Sequence, residues 1–252
     1  MNVGTSSSEK TALVIGAGSG IGRATAQLLA RRGLTTFAAD LNGEAVVALA
    51  QEHDLILSVA DGTSWDATDP EACDRLFGEV LSEVGFLDVV VSTVGWTAIT
   101  PFMSETPDYW RRIVDVNLMS CIYIAAAAAR AMKAKGGSIV LTASEAGKVG
   151  TSGETVYSAA KAGVIGLVKS LAREFARDGI RVNAVAPGIT DTPLLESQGG
   201  EGLLASIVKQ VPLRRAGQPD EIAEAIAFLA LEQASYITGQ TLCVGGGLTM
   251  GS

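Results

Sequence analysis

Histidine is nearly missing from this chain. Its 252 residues hold one, His53, set between Glu52 and Asp54, and three widely spaced cysteines, Cys73, Cys121 and Cys243. Zinc sites draw on clustered cysteine, histidine and carboxylate ligands, so metal catalysis has little material and no metal is expected. Scattered, odd-numbered cysteines suit small buried residues in a reducing compartment better than disulfides. Positive charge is also short: 19 Lys+Arg stand against 27 Asp+Glu, a net charge of -8. That balance argues against a nucleic-acid partner. No block of like charge marks a membrane-binding surface. No charged start is followed by an apolar run, so no signal peptide is expected. The apolar stretch Cys121 to Ala129 is too short to span a bilayer and suits a buried core helix. A cytoplasmic protein with a small-molecule substrate is the expectation.

What is present is apolar material, 48% of the residues, enough for a substantial core. Residues 1–10, with Thr5 and Ser6 to Ser8, read as a flexible tail, and 11–252 as one domain. Short apolar runs at Thr11–Ile15, Thr35–Ala39, Leu55–Ala60, Asp88–Ser92, Ser138–Thr142, Ile180–Val185 and Gln240–Val244 read as strands. Between them lie helical patterns, including a long one from Thr106 to Met132 and one from Thr155 to Ala176. Strict alternation predicts an α/β fold: a doubly wound parallel sheet of about seven strands, with helices on both faces. Ligands then bind beyond the carboxyl ends of the strands.

The first strand runs into Gly16-Ala-Gly18-Ser19-Gly20-Ile21-Gly22 and then a helix. Glycines let backbone approach a phosphate, and a helix start offers free N–H groups and a positive dipole. A purely structural turn is the alternative. Asp40 ends the second strand, where a carboxylate can accept both hydroxyls of an adenosine ribose and repel a 2′-phosphate. No cation follows at Leu41 or lies within the glycine turn, which favours NAD. Alternatively, Asp40 caps the next helix. Asp66, beside Ala67, could meet the adenine amino group or simply make a turn. Asp69-Pro70 is a helix start. Asn117 interrupts the long helix, and asparagine competes for backbone bonds there. It predicts either a local distortion or a specific polar task.

Ser144 follows the fifth strand, and Tyr157 and Lys161 sit one turn apart on the next helix. Free phenol titrates near ~10 and lysine near ~10.4. A neighbouring ammonium favours phenolate, which predicts a lowered tyrosine pKa and proton exchange with an alcohol or carbonyl oxygen. Taken alone, a Tyr-Lys pair at this spacing can equally be accidental. Residues 191–211, rich in Gly, Ser and Gln, read as a substrate lid.

Together these motifs resemble the short-chain dehydrogenases/reductases. Gly16-x-x-x-Gly20-Ile21-Gly22, Asn117, Ser144, Tyr157-x-x-x-Lys161 and Pro187-Gly188 fall in that family's order and spacing across residues 10 to 250. The resemblance implies a Rossmann fold and hydride transfer with a nicotinamide. It implies Tyr157 as general acid/base, Ser144 positioning the substrate oxygen, and Lys161 binding the nicotinamide ribose. Asn117 would hold a relay water. The turn residues with Thr93, Gly95, Pro187, Gly188, Ile189 and Thr192 would contact the cofactor. A homotetramer is implied as well. Two departures stand out. Ile15 replaces the usual threonine, and Ser92-Thr93-Val94-Gly95 replaces Asn-Asn-Ala-Gly, with Thr93 a partial substitute for one asparagine. Gly95-Trp96, the segment Val149 to Tyr157 and the segment Gly188 to Leu195 are similar to 2-hydroxycyclohexanecarboxyl-CoA dehydrogenases. That similarity implies an NAD-linked oxidation of a ring hydroxyl with Trp96 as an apolar wall. A CoA ester would need cations such as Lys148, Lys209, Arg214 and Arg215. The competing expectations are an NADPH-dependent 3-oxoacyl reductase, disfavoured by Asp40, and a catalytically silent NAD-binding regulatory protein.

Overall fold

Seven short runs, too short to fill a helix, become strands: the central ones are buried on both faces, and the two edge strands are partly buried. The computed structural model describes residues 10–59, 64–198 and 206–250. The strands are β1 (Thr11–Ile15), β2 (Thr35–Ala39), β3 (Ile56–Ser58), β4 (Val89–Ser92), β5 (Gly137–Thr142), β6 (Ile180–Pro187) and β7 (Thr241–Val244). They pair in parallel in the order β3-β2-β1-β4-β5-β6-β7. The order reverses direction between β1 and β4, where Ile15 stands opposite Ser92. A crevice opens at such a switch point.

Alternate residues of each strand serve different layers. Ala12 and Val14 join one core with α1 (Gly20–Arg31), α2 (Gly43–Ala50) and α9 (Pro219–Ala230), through Leu29, Leu49 and Ile226. Leu13 and Ile15 join the other with α3 (Pro70–Val84), α5 (Ser120–Met132) and α7 (Thr155–Phe175), which the short α6 (Ala146–Val149) precedes, through Phe77, Ile124 and Val164. Each large aliphatic side chain so buried contributes about 1.5–3 kcal/mol relative to exposure. Helix starts follow local chemistry. The Asp69 carboxylate accepts the Glu71 N–H at 2.9 Å, with Pro70 in the first position. Glu221 and Gln218 close a capping box on α9.

Two elements differ from expectation. β3 is shorter than the apolar run around it, because its neighbour β2 pairs with Ile56, Leu57 and Ser58 only. The long helix is three pieces: α4 (Pro107–Val114), a π-helical turn (Asp115–Met119) and α5. Its 26 residues, Pro107–Met132, are long and apolar enough to cross a membrane. The apolar helical segment is thus longer than Cys121 to Ala129, yet Ile113, Ile124, Ala128 and Met132 are buried in the core. The expected lid contains α8 (Pro193–Glu196) and helical residues 206–208. The tail residues 1–9, Ala60 to Gly62 and Gly199, Gly200 and Gly202 of the lid lie outside the described residues.

Candidate active site

The glycine turn is built for close approach. Gly16 and Gly20 adopt positive φ angles of 85° and 49°. A Cβ on Gly22 would lie 1.9 Å from the Gly16 carbonyl oxygen, so any side chain there would break the turn. Ser19 stands extended before α1, and its hydroxyl caps none of the first amides. Those N–H groups and the helix dipole suit a pyrophosphate.

Asp40 is fixed by backbone donors. Its carboxylate accepts the Gly18 N–H and the Asn42 N–H, each at 2.8 Å. It does not cap α2; Asn42 does, accepting from Ala45 at 3.1 Å. A carboxylate has about four lone-pair sites, so two remain for hydroxyl donors. Asp66 instead accepts both the backbone N–H and the hydroxyl of Thr68 at 2.8 Å, which ties its carboxylate into a local turn.

A cleft of about 370 Å³ runs along this edge. It takes in Gly16, Ser19, Gly20, Ile21 and Gly22, then Asp40, Leu41, Asp66 and Ala67, then Thr93, Gly95, Trp96 and Thr192. Pro187, Gly188 and Ile189 are not part of its lining. Thr192 caps α8 by accepting the Leu195 N–H, and its methyl carbon lies 3.2 Å from where a Cβ on Gly20 would sit. The loop after β6 therefore closes down on the glycine turn. Thr93 binds that turn from the other side, through Ile15 and Gly16.

Asn117 and Lys161 converge on Gly95. A Cβ there would lie 3.2 Å from Asn117 Oδ1 and 3.3 Å from Lys161 Nζ. Asn117 is fully buried, and its amide donates to the Trp96 and Ile113 carbonyls at 2.7 and 2.9 Å. Its side chain competes with the helix ladder at Ile113, and the π turn is the result. The expected local distortion at Asn117 is present, and its side chain bonds neighbouring backbone at Ile113 and Trp96. Lys161 is buried, and its ammonium donates to the Thr142 carbonyl at 2.9 Å.

The tyrosine's pKa departs from expectation. Burial pushes the Tyr157 phenol up to about 12; hydrogen bonding with Ser144 pulls it back, and the Glu154 carboxylate adds to the rise. The expected lowering by Lys161 is absent. Burial pushes the lysine's own pKa down, which disfavours the very charge that would stabilise a phenolate. Lys161 Nζ stands 5.8 Å from the Tyr157 ring centroid.

Several neighbours were not singled out by sequence. Glu145, next to Ser144, is buried beneath Gly188 and Gly245, and a Cβ on Gly245 would lie 2.3 Å from its carboxyl carbon. Burial pushes the Glu145 carboxyl above its ordinary range, against Thr249 and Lys148. Arg112, Trp65, Val116 and Leu194 line the cleft. Glu145, Trp65, Val116 and Leu194 lie within two residues of Ser144, Asp66, Asn117 and Thr192, but nothing in their own local pattern marked them, or Arg112, as site residues.

Known proteins match this architecture along nearly its whole length. A family described as "Enoyl-(Acyl carrier protein) reductase" (adh_short_C2) matches residues 16–249. The chain is 39% identical over 242 residues to the 3-oxoacyl-[acyl-carrier-protein] reductase FabG of Escherichia coli, covering 96% of this chain and 98% of that one. FabG of Thermotoga maritima is 36% identical over 242 residues, with the same coverage. The cis-4-hydroxycyclohexanecarboxylate dehydrogenase of Sinomonas cyclohexanicum is 39% identical over 253 residues, 98% of this chain and 99% of that one. With its parallel sheet, glycine turn and Asn-Ser-Tyr-Lys set, the chain belongs to the short-chain dehydrogenase/reductase family of oxidoreductases.

Proposed function

We propose that this protein is an NAD-dependent dehydrogenase of a cyclic secondary alcohol, running also as the ketone reductase. The observation that carries it is the cleft's two ends. Asp40 is held by two backbone donors at one end, and Gly95, Asn117 and Lys161 meet at the other. The carboxylate suits a free ribose diol and repels the 2′-phosphate of NADP. Nicotinamide, when bound, accepts or returns the hydride. Ser144 holds the substrate oxygen by a hydrogen bond. In oxidation Tyr157 takes the hydroxyl proton as its own proton passes on toward Lys161, and in reduction it gives its proton to the ketone. Lys161 offers N–H donors to the ribose and joins the proton path that Asn117 orders. Burial of Tyr157 keeps it a phenol, so its proton is available to the ketone in the reductive direction.

The ring-hydroxyl substrate draws support from the similarity to the Sinomonas protein and from Trp96 in the cleft. A second reading is reduction of a 3-oxoacyl thioester with NADPH. It draws on an equal identity to FabG, but the Asp40 carboxylate would repel the extra phosphate. Two of the cations suggested for a CoA ester are already engaged. Arg215 holds both oxygens of Glu221 at 2.6 and 2.7 Å, and Arg214 bonds the Lys209 carbonyl. Lys148, Lys209, Arg214 and Arg215 do not line the cleft.

The test is initial-rate kinetics on cyclohexanol and cis-4-hydroxycyclohexanecarboxylate with NAD and with NADP. Turnover with NAD is expected, falling by about 10²–10⁴ in Tyr157→Phe. Equal rates in wild type and variant would sink the mechanism. A preference for NADP would overturn the cofactor assignment.

A further inference from the structure

Trp96 does more than wall the cleft. The Arg112 guanidinium lies over its ring, 3.8 Å from the centroid. Tyr109 also contacts the indole: its ring meets Trp96 edge-on at 5.9 Å, and its hydroxyl donates to the Ala98 carbonyl at 2.7 Å. Tyr109 and Arg112 sit three apart on α4, so one helix face presents both to the indole.

Charge separates Arg112 from its neighbours. Arg111 pairs with Asp108 at 2.6 Å, whereas no carboxylate among the described residues pairs with Arg112. Among the described residues lining the cleft, it is the one cation; Asp40 and Asp66 supply negative charge at the opposite end. On a chain of net charge -8, an anion finds little else to approach here. Stacking fixes the guanidinium plane and leaves its N–H edges for a planar, bidentate acceptor. Trp96 follows Gly95 directly, and its carbonyl accepts from Asn117, so the Trp96–Arg112 stack borders the reacting end rather than the ribose end.

We infer that Arg112, stacked on Trp96, is the specificity-determining anchor for a carboxylate on the alcohol substrate, so that the enzyme takes a hydroxy acid in its free, anionic form. The inference rests on the dehydrogenase reading of the same cleft. Trp96 covers the apolar body of the substrate, Arg112 binds its carboxylate, and Ser144 with Tyr157 holds its hydroxyl. Arg112 is a binding residue and takes no part in proton transfer.

Two measurements on the full-length protein test it. The first is the ratio of kcat/KM for cis-4-hydroxycyclohexanecarboxylate over that for cyclohexanol, with NAD, in wild type, Arg112→Met and Arg112→Lys. The ratio should fall by about tenfold to a hundredfold in Arg112→Met, as expected for loss of a charge-assisted hydrogen bond, and be partly restored in Arg112→Lys. The second is binding of cyclohexanecarboxylate, which cannot react, followed by tryptophan fluorescence and set against cyclohexanol. Arg112→Met should abolish the preference for the acid while the NAD dissociation constant stays within about twofold of wild type. A ratio and a preference that stay unchanged in Arg112→Met would overturn the inference. So would a loss of NAD affinity in that variant, which would place Arg112 against the dinucleotide. Preferential, Arg112-dependent binding of the acid without turnover of either alcohol would uphold the anion site and defeat the proposed reaction instead.

Discussion

The Thr93 hydroxyl lies 3.0 Å from the Ile15 carbonyl oxygen and 3.1 Å from that of Gly16, joining the end of β4 to the glycine turn. Ser92 and Thr93 stand where the resemblance leads one to expect an asparagine pair. Thr93 also crowds the turn: a Cβ on Gly16 would lie 2.7 Å from its hydroxyl oxygen.

Thr93→Val keeps the shape and removes the donor. The turn loses about 0.5–1.5 kcal/mol of hydrogen bonding, and its amides lose their fixed orientation. Dinucleotide affinity should fall several-fold by calorimetry, with a small drop in melting temperature. An unchanged affinity would show that the turn holds its geometry without β4.

Much of this was legible because the signals are local. Asp69-Pro70 names its own helix start, and alternating apolar runs name a parallel sheet. Asn117 announced a disturbance because asparagine competes with the helix backbone wherever it sits. The form of that disturbance, a π turn, is not written in the asparagine alone, whose amide bonds both the Ile113 carbonyl and that of the distant Trp96. Asp40 left two roles open, and only the position of Asn42 removed one of them. Glu145 was invisible because the groups that bury it, Gly188 and Gly245, come from the ends of β6 and β7. The tyrosine's pKa was misjudged for the same reason: sequence spacing supplies the lysine neighbour but not the burial that outweighs it.

That burial has a titration signature. Tyr157 should remain a phenol well past the ordinary range of about 10, ionising only toward pH 12. The tyrosinate difference spectrum, wild type minus Tyr157→Phe, should be flat near pH 10 and rise above about 11. Because the folded pKa lies above the unfolded one, the neutral phenol's contribution to stability is complete below about 10 and is lost as pH climbs through 12. A difference signal centred at or below pH 10 would contradict the dominance of burial.

Glu145 permits a test at gentler pH. Its carboxyl is pushed up from 4.5 by burial, so the folded state favours the protonated form. The sign follows from linkage: stability is fully present below the unfolded pKa and is lost as pH rises through the higher folded value. Glu145→Gln carries no charge to desolvate. Its melting temperature should therefore gain on wild type as pH rises from about 4 to 8, with most of the change above the ordinary carboxylate range. A difference that is constant with pH would mean that Glu145 is solvated in the folded protein. A difference that moves the other way would mean that its charged form is specifically held, with Lys148 as the group to examine by a second substitution, Lys148→Met.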